Sequence, residues 1–498
     1  MRRGFLFVFC FINSLLIDIQ LFAQKQQRIE LINTDVLKFD KKEGVGIRKL
    51  IGNVVFRQDT TMMFCDSAYQ YIDENKLELL ANVRIIVAPQ TTLSADRIEY
   101  FGNTKVAELY DNIVLKDGAS VLKTNRMTYY RTQGFGYYQN GGTLFDSTNI
   151  LTSVYGYYFT NSKMAHFKKE ITLQSTDYNL TTDSLHYHSQ TETAFFVAPT
   201  HILTKDSLKL YTERGYYQTV TRKLFAYQNP YFMDKDYSLA ADTIFYDYKK
   251  DSGWAHCSVR MQTADTTLYI YGEWAIFKRK NKDILLTENP YLLQFLAEDT
   301  MILFADTLHS FRDSLTLKDR LTAYYNVQVA LRQLQGRADS MVYFTKDSIL
   351  QLLDDPILWS DNNQLTGDTI WILMKNKKAD SIWVRKNGFL ASQETNQFFN
   401  QLKGKQLQAK LLNNRLNKML LIGNSESIYF MKDGAKWTGM NRSFSDKIEI
   451  EFKENKPQKI VFHTQPTATF SPIYQIYNQA NTLEGFEWRI TEKPNRGF

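Results

Sequence analysis

Aspartate is the residue whose spacing in this chain most suggests chemistry. It recurs in a short phrase: a small residue or Thr, then Asp, then alternating apolar positions. Copies stand at Thr34-Asp35, Ala95-Asp96, Thr182-Asp183, Ala241-Asp242, Ala305-Asp306, Ala338-Asp339 and Gly367-Asp368. Paired carboxylates do acid and base work in carbohydrate-active proteins. A residue that returns in every repeat more often serves the repeat itself, so we expect each Asp to bond backbone donors at a strand corner.

Other residues that could do chemistry lack partners in the sequence. His186 and His188 would share one strand face, but no further metal ligand accompanies them, so we expect a solvated face. Gly134-Phe135-Gly136 lacks the third glycine of a dinucleotide site. No Walker-type phosphate loop and no Gly-x-Ser-x-Gly elbow is found in the sequence. The sequence therefore predicts a binding protein without cofactor or metal, not an enzyme.

The Asp phrase marks a repeat of about 30 residues, with weaker copies at Cys65-Asp66, Asn125-Arg126, Thr212-Glu213 and Gly272-Glu273. Between copies, turn residues such as Gly52-Asn53 and Asp111-Asn112 punctuate short apolar runs. Turn signals roughly 8–12 residues apart are typical of sandwiches, barrels and stacked sheets. The 30 Tyr and 33 Phe residues also favour strands. We predict an all-β, elongated repetitive fold with three short strands per repeat.

Side chains alternate along each copy, so the Asp and the two apolar residues that follow share one face. We expect the apolar pairs to point inward and to form one long apolar face. The residues of this face, which become the ligand-groove candidates under the family resemblance given below, are Leu37, Phe39, Ile98, Tyr100, Leu185, Tyr187, Ile244, Tyr246, Met341 and Tyr343. A helical pattern interrupts the series at residues 394–402, where Phe398, Phe399 and Leu402 fall on one face, and predicts a short helix.

The N-terminus has the three parts of a secretory signal: Arg2 and Arg3, an apolar run over residues 5–16, and the small residue Ala23 before a polar stretch. We expect residues 1–23 to be a signal peptide and the remainder to be exported to the periplasm. A retained N-terminal anchor is the alternative.

Net charge and cysteine usage limit the partners. The formal charge is +7, of which residues 1–23 contribute one unit. A mild, dispersed excess favours a phosphorylated or acidic ligand at a bilayer surface and does not indicate nucleic acid. Cys10 lies in the signal segment, which leaves Cys65 and Cys257. These two either pair in an oxidising compartment or stay buried thiols.

The ordered Asp phrases, the Gly-Asn-Val and Asp-Asn-Ile turns and the aromatic strand pairs resemble the OstA-like (organic solvent tolerance) family. The resemblance is to the periplasmic bridge protein type of lipopolysaccharide transport, over nearly all of residues 28–490. Phrases at 400–405, 423–430 and 485–489 are similar to those of long members from Bacteroidetes-type bacteria.

This resemblance implies a twisted β jelly roll that binds lipopolysaccharide, with acyl chains in the groove and the phosphorylated head at its rim. The implied partners are other lipopolysaccharide-transport proteins, docked through edge strands, and the outer-membrane translocon. The implied organisation is an OstA-like jelly-roll module over residues 24–180, continuing repeats over 181–390, a C-terminal OstA-like region with the short helix over 391–470, and an irregular tail over 471–498.

Three other functions compete with transport. A polysaccharide-active β-solenoid would need a cluster of carboxylates on one rung, which the sequence does not single out. An outer-membrane barrel is suggested by the terminal Phe498, but residues 493–497 cannot form a closing membrane strand. A structural scaffold of the cell envelope is the third possibility.

Overall fold

A computed structural model describes residues 28–39, 46–146, 149–296, 299–316, 318–375, 378–412, 415–453, 456–476 and 481–495. The expected signal segment, residues 1–23, lies outside these ranges. The described chain is almost entirely antiparallel strand, which confirms the all-β prediction. None of the helices in these ranges is long and apolar enough to cross a bilayer. The chain divides into two compact units, residues 1–147 and 148–498. The module boundaries at 180, 390 and 470 stay a prediction.

The strands of unit 1 are β1 (Glu30–Asn33), β2 (Val36–Phe39), β3 (Ile47–Gln58), β4 (Thr61–Tyr71), β5 (Lys76–Ala88), β6 (Thr91–Phe101), β7 (Val106–Asp117), β8 (Ser120–Tyr130), β9 (Phe135–Tyr138) and β10 (Gly142–Asp146).

The first strands of unit 2 are β11 (Asn149–Ser153), β12 (Tyr155–Phe159), β13 (Met164–Gln174), β14 (Tyr178–His188), β15 (Thr193–Phe196), β16 (Thr200–Thr204), β17 (Lys209–Thr212), β18 (Arg214–Gln218), β19 (Lys223–Tyr227), β20 (Tyr231–Met233), β21 (Tyr237–Ala240), β22 (Thr243–Asp247), β23 (Ser252–Thr263), β24 (Leu268–Lys278), β25 (Asp283–Thr287) and β26 (Tyr291–Phe295).

Unit 2 continues with β27 (Thr300–Phe304), β28 (Thr307–Arg312), β29 (Asp319–Ala330), β30 (Gln335–Phe344), β31 (Ile349–Leu353), β32 (Ile357–Ser360), β33 (Asn363–Thr366), β34 (Thr369–Lys375), β35 (Lys378–Gln393), β36 (Phe399–Leu412), β37 (Arg415–Asp433), β38 (Lys436–Lys453), β39 (Lys456–His463) and β40 (Thr467–Pro472). A one-turn helix, α1 (Ile473–Ile476), and a 3-10 turn (Ile490–Glu492) follow.

Each repeat consists of two long strands that bend at their centres, rather than three short ones. Between β3 and β4 the pairing is regular up to Ile51, shifts, and resumes at Val54. The same shift recurs in the β4–β5, β5–β6, β6–β7 and β7–β8 pairs. The bends divide each unit into two half-sheets that share a corner. In unit 1 we call half-sheet I the one that contains β2, and half-sheet II the one that contains β1. In unit 2 half-sheet I contains β12 and half-sheet II contains β11, and over much of this unit the two halves are separate strands.

The corner places two successive residues of one strand in the left-handed backbone region. In β7 these residues are Asp111 and Asn112, with φ of 61° and 48°. This conformation costs most side chains roughly 1–2 kcal/mol per residue, and Asn tolerates it best. The corner pairs with positive φ include Ala81-Asn82, Gln228-Asn229, Glu288-Asn289, Tyr325-Asn326 and Lys386-Asn387. The Gly-Asn-Val and Asp-Asn-Ile phrases are therefore bends within a strand.

The repeated Asp holds the corner of the neighbouring strand. In six repeats, Nδ2 of the corner Asn donates to the carboxylate of the Asp (Glu213 in one repeat) across 2.7 to 2.9 Å. The Asp backbone N–H in turn donates to a corner carbonyl, as from Asp306 to Tyr325. The Asp carboxylate therefore has a structural role at the corner, as expected. The group that donates to it in these repeats is the side-chain amide of Asn, whereas a backbone N–H was expected. A backbone N–H is the donor at Asp183, which accepts from Glu170.

The helix predicted at residues 394–402 is wrong. Residues 394–398 form a turn in which the Thr395 hydroxyl accepts from the N–H groups of Gln397 and Phe398. From Phe399 onward the chain is β36, which pairs with β35 on one side and β37 on the other. Backbone hydrogen bonds to the strands on both sides stabilise β36 more than the helical spacing of three apolar residues would stabilise a helix. Phe398 is buried instead among aromatic residues, with its ring 4.6 Å from that of Phe430.

We expect Asn112→Ala to lower the free energy of unfolding by about 1–3 kcal/mol, because Ala loses the bond to Asp96 and keeps the strained backbone. Denaturant unfolding of the full chain measures this. The control Asn179→Ala, at an exposed strand position, should change the free energy by less than about 0.5 kcal/mol. Equal effects of the two substitutions would contradict the role given to the corner.

Candidate binding cavity

The turns at the free ends of the two half-sheets form two edges that meet opposite the corner. Edge I carries the turns of half-sheet I, such as residues 102–105, and edge II those of half-sheet II, such as residues 59–60. We call the line where the edges meet the seam. Its chemistry determines whether the interior is closed from the side.

In unit 1, ion pairs close the seam. Asp59 on edge II accepts from Lys105 Nζ at 2.7 Å and from Arg131 at 2.9 Å, and both bases lie on edge I. The hydrogen bond from Lys105 is the largest of the effects that hold the pKa of Asp59 below its usual value. Beside this cluster, buried Gln58 accepts from the Tyr100 hydroxyl and donates to the Gly102 carbonyl.

The early repeats of unit 2 have the same kind of seam. Arg222 on edge I pairs with Asp177 on edge II. Arg279 bridges two edge II carboxylates, those of Asp206 and Asp234, and Lys282 reaches Asp236 at 2.9 Å. Through these repeats the interior is closed from the side by charged contacts.

The predicted groove residues fall into three environments. Ile98, Tyr100, Leu185, Tyr187, Ile244, Tyr246 and Met341 are buried in the packed interior. Leu37 lies beside buried Leu50 on the inner face, yet it is 45% exposed and Phe39 is 65% exposed. These two are exposed because β2 pairs only with β3 in the described chain. Tyr343 lines the cavity described next. That the set forms one ligand groove stays a prediction.

The cavity lies in the C-terminal half of unit 2 and has a volume of about 640 Å³. Ligand sites typically measure about 300–1,000 Å³. Half-sheet I and edge I supply a mostly apolar wall: Tyr343, Leu350, Ile372, Met374, Lys378, Ala379, Ile382, Ala409, Leu411, Leu416, Met419, Ile450, Phe452, Pro457, Ile460 and Phe462. Most of these residues lie past the last clear copy of the Asp phrase, so the repeat pattern did not identify them as groove candidates.

Half-sheet II supplies a wall with many polar groups. Its neutral polar residues at the cavity are Gln294, Ser360, Asn363, Ser392, Asn400, Ser427, Tyr429, Asn441 and Ser443, and its edge adds Asp299, Arg332, Gln333 and Glu394. Leu296, Met301, Val329, Leu358, Leu365, Leu390, Leu402 and Ile428 lie among them. One wall is therefore almost wholly apolar, and the other mixes polar and apolar residues.

At this cavity the turns of both edges line the open space. Leu331 and Leu334 contribute from edge II, and Leu411 and Leu416 from edge I. All four side chains are partly exposed. Asp299, Arg332 and Glu394 on edge II and Lys378 on edge I line the same space, so this border mixes leucines with charged residues.

The C-terminal segment, residues 481–492, covers the outer side of the polar wall. Gln401 is 0% exposed; its amide donates to the Asn481 carbonyl at 3.0 Å and accepts from the Leu483 N–H at 2.8 Å. Gln364 holds the Glu487 carbonyl and the Arg489 N–H in the same way, at 2.7 Å each. The wall is thus one sheet thick, with its inner face on the cavity and its outer face under this strap.

The histidines and cysteines noted in the sequence make contacts within the protein or are free thiols. The His186 ring stacks on that of His166 at 3.8 Å, and burial lowers the pKa of both. His188 accepts from the Thr191 N–H. Cys65 and Cys257 are free thiols, and burial raises the pKa of Cys65 to about 12.

Two models of known protein families match parts of this chain. The family model described as "OstA-like protein" matches residues 26–183 and 164–242. A second, described as "LptA/(LptD N-terminal domain) LPS transport protein", matches residues 266–378. Residues 26–242 of the chain are OstA-like. The resemblance seen in the sequence is confirmed, and neither description names an enzyme.

Among solved structures, the OstA-like chain matches the one titled LptH, the LptA homologous periplasmic component of the lipopolysaccharide transport device from Pseudomonas aeruginosa. The match covers 28% of this chain and 93% of that one, with 15% identity and a TM-score of 0.22. No curated protein matches the chain. The family assignment rests on the two family models.

We expect Asp59→Asn to destabilise the OstA-like protein by on the order of 1 kcal/mol at pH 7, because it weakens a partly buried ion-pair cluster. A carboxyl group whose pKa is lowered by folding stabilises above its unfolded pKa of about 4, and this contribution is lost as pH falls through the lower, folded pKa. Denaturant unfolding at pH 7 and pH 3 should show the difference between variant and wild type shrinking. The exposed Glu74→Gln is the control; a cost for Asp59→Asn that is independent of pH would contradict the ion pair.

We expect Gln401→Ala to release the strap, because both of its hydrogen bonds to the C-terminal segment are lost from a buried position. The free energy of unfolding of unit 2 should fall by about 1–3 kcal/mol. Limited proteolysis should trim the C-terminus faster than in the wild type. The exposed Gln406→Ala, on the same strand, should change neither quantity, and no change for Gln401→Ala would show that the strap is held by other contacts.

Proposed function

We propose that this protein binds lipopolysaccharide in the periplasm and carries or bridges it toward the outer membrane. The observation that carries the proposal is the cavity of about 640 Å³ with its apolar wall, part of which lies in residues 266–378, the segment that matches the lipopolysaccharide-transport family model. Leaving an acyl chain in water costs about 0.8 kcal/mol per CH₂ group, and the wall formed by half-sheet I removes that cost.

The proposed ligand site lies in the C-terminal half of unit 2 instead of along every repeat. In the earlier repeats the predicted groove residues Ile98, Leu185 and Ile244 are completely buried by their neighbours. At the cavity, where Tyr343 begins the apolar wall, open volume accompanies inward-facing apolar side chains. We therefore place the acyl chains against Tyr343, Ile372 and the strands that follow.

Cations beside the cavity support a phosphorylated head group at its rim. Lys375, Arg415 and Lys453 are exposed at three successive edge I hairpins, each next to a lining residue. Neighbouring hairpins of one sheet are two strand spacings apart, roughly 10 Å. Such a row of positive charge attracts an anionic head group while the chains enter the cavity.

Open sheet edges support docking to other transport proteins. In the described chain, β1 and β2 pair only with β3, and β39 and β40 pair only with β38. Unpaired edges offer backbone groups that a partner strand can use. We propose that one such edge joins a partner of the same fold and that the outer-membrane translocon receives the lipid.

A photo-crosslinking amino acid at Tyr343 tests the ligand and its site together. In cells it should capture lipopolysaccharide, because this side chain lines the cavity. The control position is Val342, the neighbouring residue on β30, which points to the opposite face. Capture at Val342 but not at Tyr343 would overturn the proposed site, and capture at neither would count against lipopolysaccharide as the ligand.

A further inference from the structure

Apart from Tyr343, the neutral polar residues that line the cavity all lie on one wall, which a simple container for acyl chains does not need. The neutral polar groups are Ser and Asn side chains, with Gln294 and Tyr429, on half-sheet II. An interior built only for hydrocarbon loses stability with each buried polar group that lacks a partner. A polar inner wall is explained if the ligand itself brings hydrogen-bonding groups into the cavity.

The polar residues form contiguous patches on the wall. Ser427 and Ser443 are direct cross-strand neighbours of β37 and β38, and Tyr429 and Asn441 are the next pair on the same face. Direct neighbours have Cβ atoms roughly 5 Å apart. Two hydroxyl groups at that spacing can bind one ligand hydroxyl or amide from both sides.

The Ser427 hydroxyl is the most informative member. Ser427 is 5% exposed and lines the cavity, and no hydrogen bond links its side chain to any described residue. Ser443 is 3% exposed and donates to Asn441 Oδ1 at 3.2 Å, which leaves its lone pairs available. The Asn400 carboxamide, by contrast, is already committed to Glu394 and the Phe430 N–H. Ser360, Ser392 and Tyr429 also line the cavity, but they are partly exposed, so the Ser427–Ser443 pair is set apart by combining unused hydrogen-bonding capacity with burial.

We propose that the Ser427–Ser443 pair is a specificity subsite that binds hydroxyl or amide groups on the acyl part of the lipid. The ligand class is then a hydroxyacyl or N-acyl amphiphile, with its hydrocarbon on half-sheet I and its neutral polar groups on half-sheet II. The inference rests on the proposed lipid-binding function and adds a preference among lipids. A lipid with plain acyl chains would leave the two serines unsatisfied, and a site built to bond a hydroxyl discriminates against ligands that lack it.

Two fatty acids that differ by one hydroxyl test the subsite directly. We expect the full-length protein to bind 3-hydroxytetradecanoate about fivefold more tightly than tetradecanoate, the worth of one hydrogen bond in such a site. Isothermal titration or displacement of a fluorescent fatty acid measures both affinities. In Ser427→Ala/Ser443→Ala the preference should vanish while tetradecanoate binds as well or better, which a mere loss of folding cannot produce. The control is Ser238→Ala, which lies outside the cavity lining and should keep the preference.

The outcomes separate this inference from the proposed function. If the wild type binds both acids equally, or the double variant keeps the preference, the specificity subsite is wrong while lipid binding stands. If neither acid nor lipid A binds the wild type, the proposed function itself fails.

Discussion

The bond between the repeated Asp and the corner Asn is the interaction on which the rest of the structure depends. A strand of some twelve residues stays in one sheet unless something bends it, and here two residues in the left-handed region do so. That conformation is unfavourable for most side chains, and the carboxylate of the preceding strand holds the Asn amide that occupies it. Because the bend recurs in every repeat, the strands fold over into two facing half-sheets, and an interior between them becomes possible.

Closure on the side opposite the corner varies along the chain. Where Asp59 or Arg279 joins the two edges, side chains such as Ile98 and Ile244 fill the interior. Where Leu331 and Leu411 lie at the edges among charged residues, a cavity of about 640 Å³ stays open, and it is there that we propose the lipid binds. One fold thus provides a packed core in some repeats and an open cavity in others.

The sequence was sufficient for the fold class and the repeat because both depend on local pattern. Asp phrases and alternating apolar residues are visible without neighbours. It failed at residues 394–402, where pairing on both sides of β36 overrides a helical spacing, and it took corner bends for turns between short strands. It also could not distinguish Ile244, which is packed, from Tyr343, which lines the cavity. Both are inward apolar residues of the same phrase, and what separates them is the space left by residues distant in sequence.

If lipid occupies the C-terminal half of unit 2, it should protect that part of the backbone from solvent. Hydrogen–deuterium exchange of the full chain, with and without lipid A, measures this. We expect slower exchange at residues 331–334 and in β35 to β38, with unit 1 unchanged. Protection confined to unit 1, or to the repeats between β11 and β25, would show that the lipid binds elsewhere.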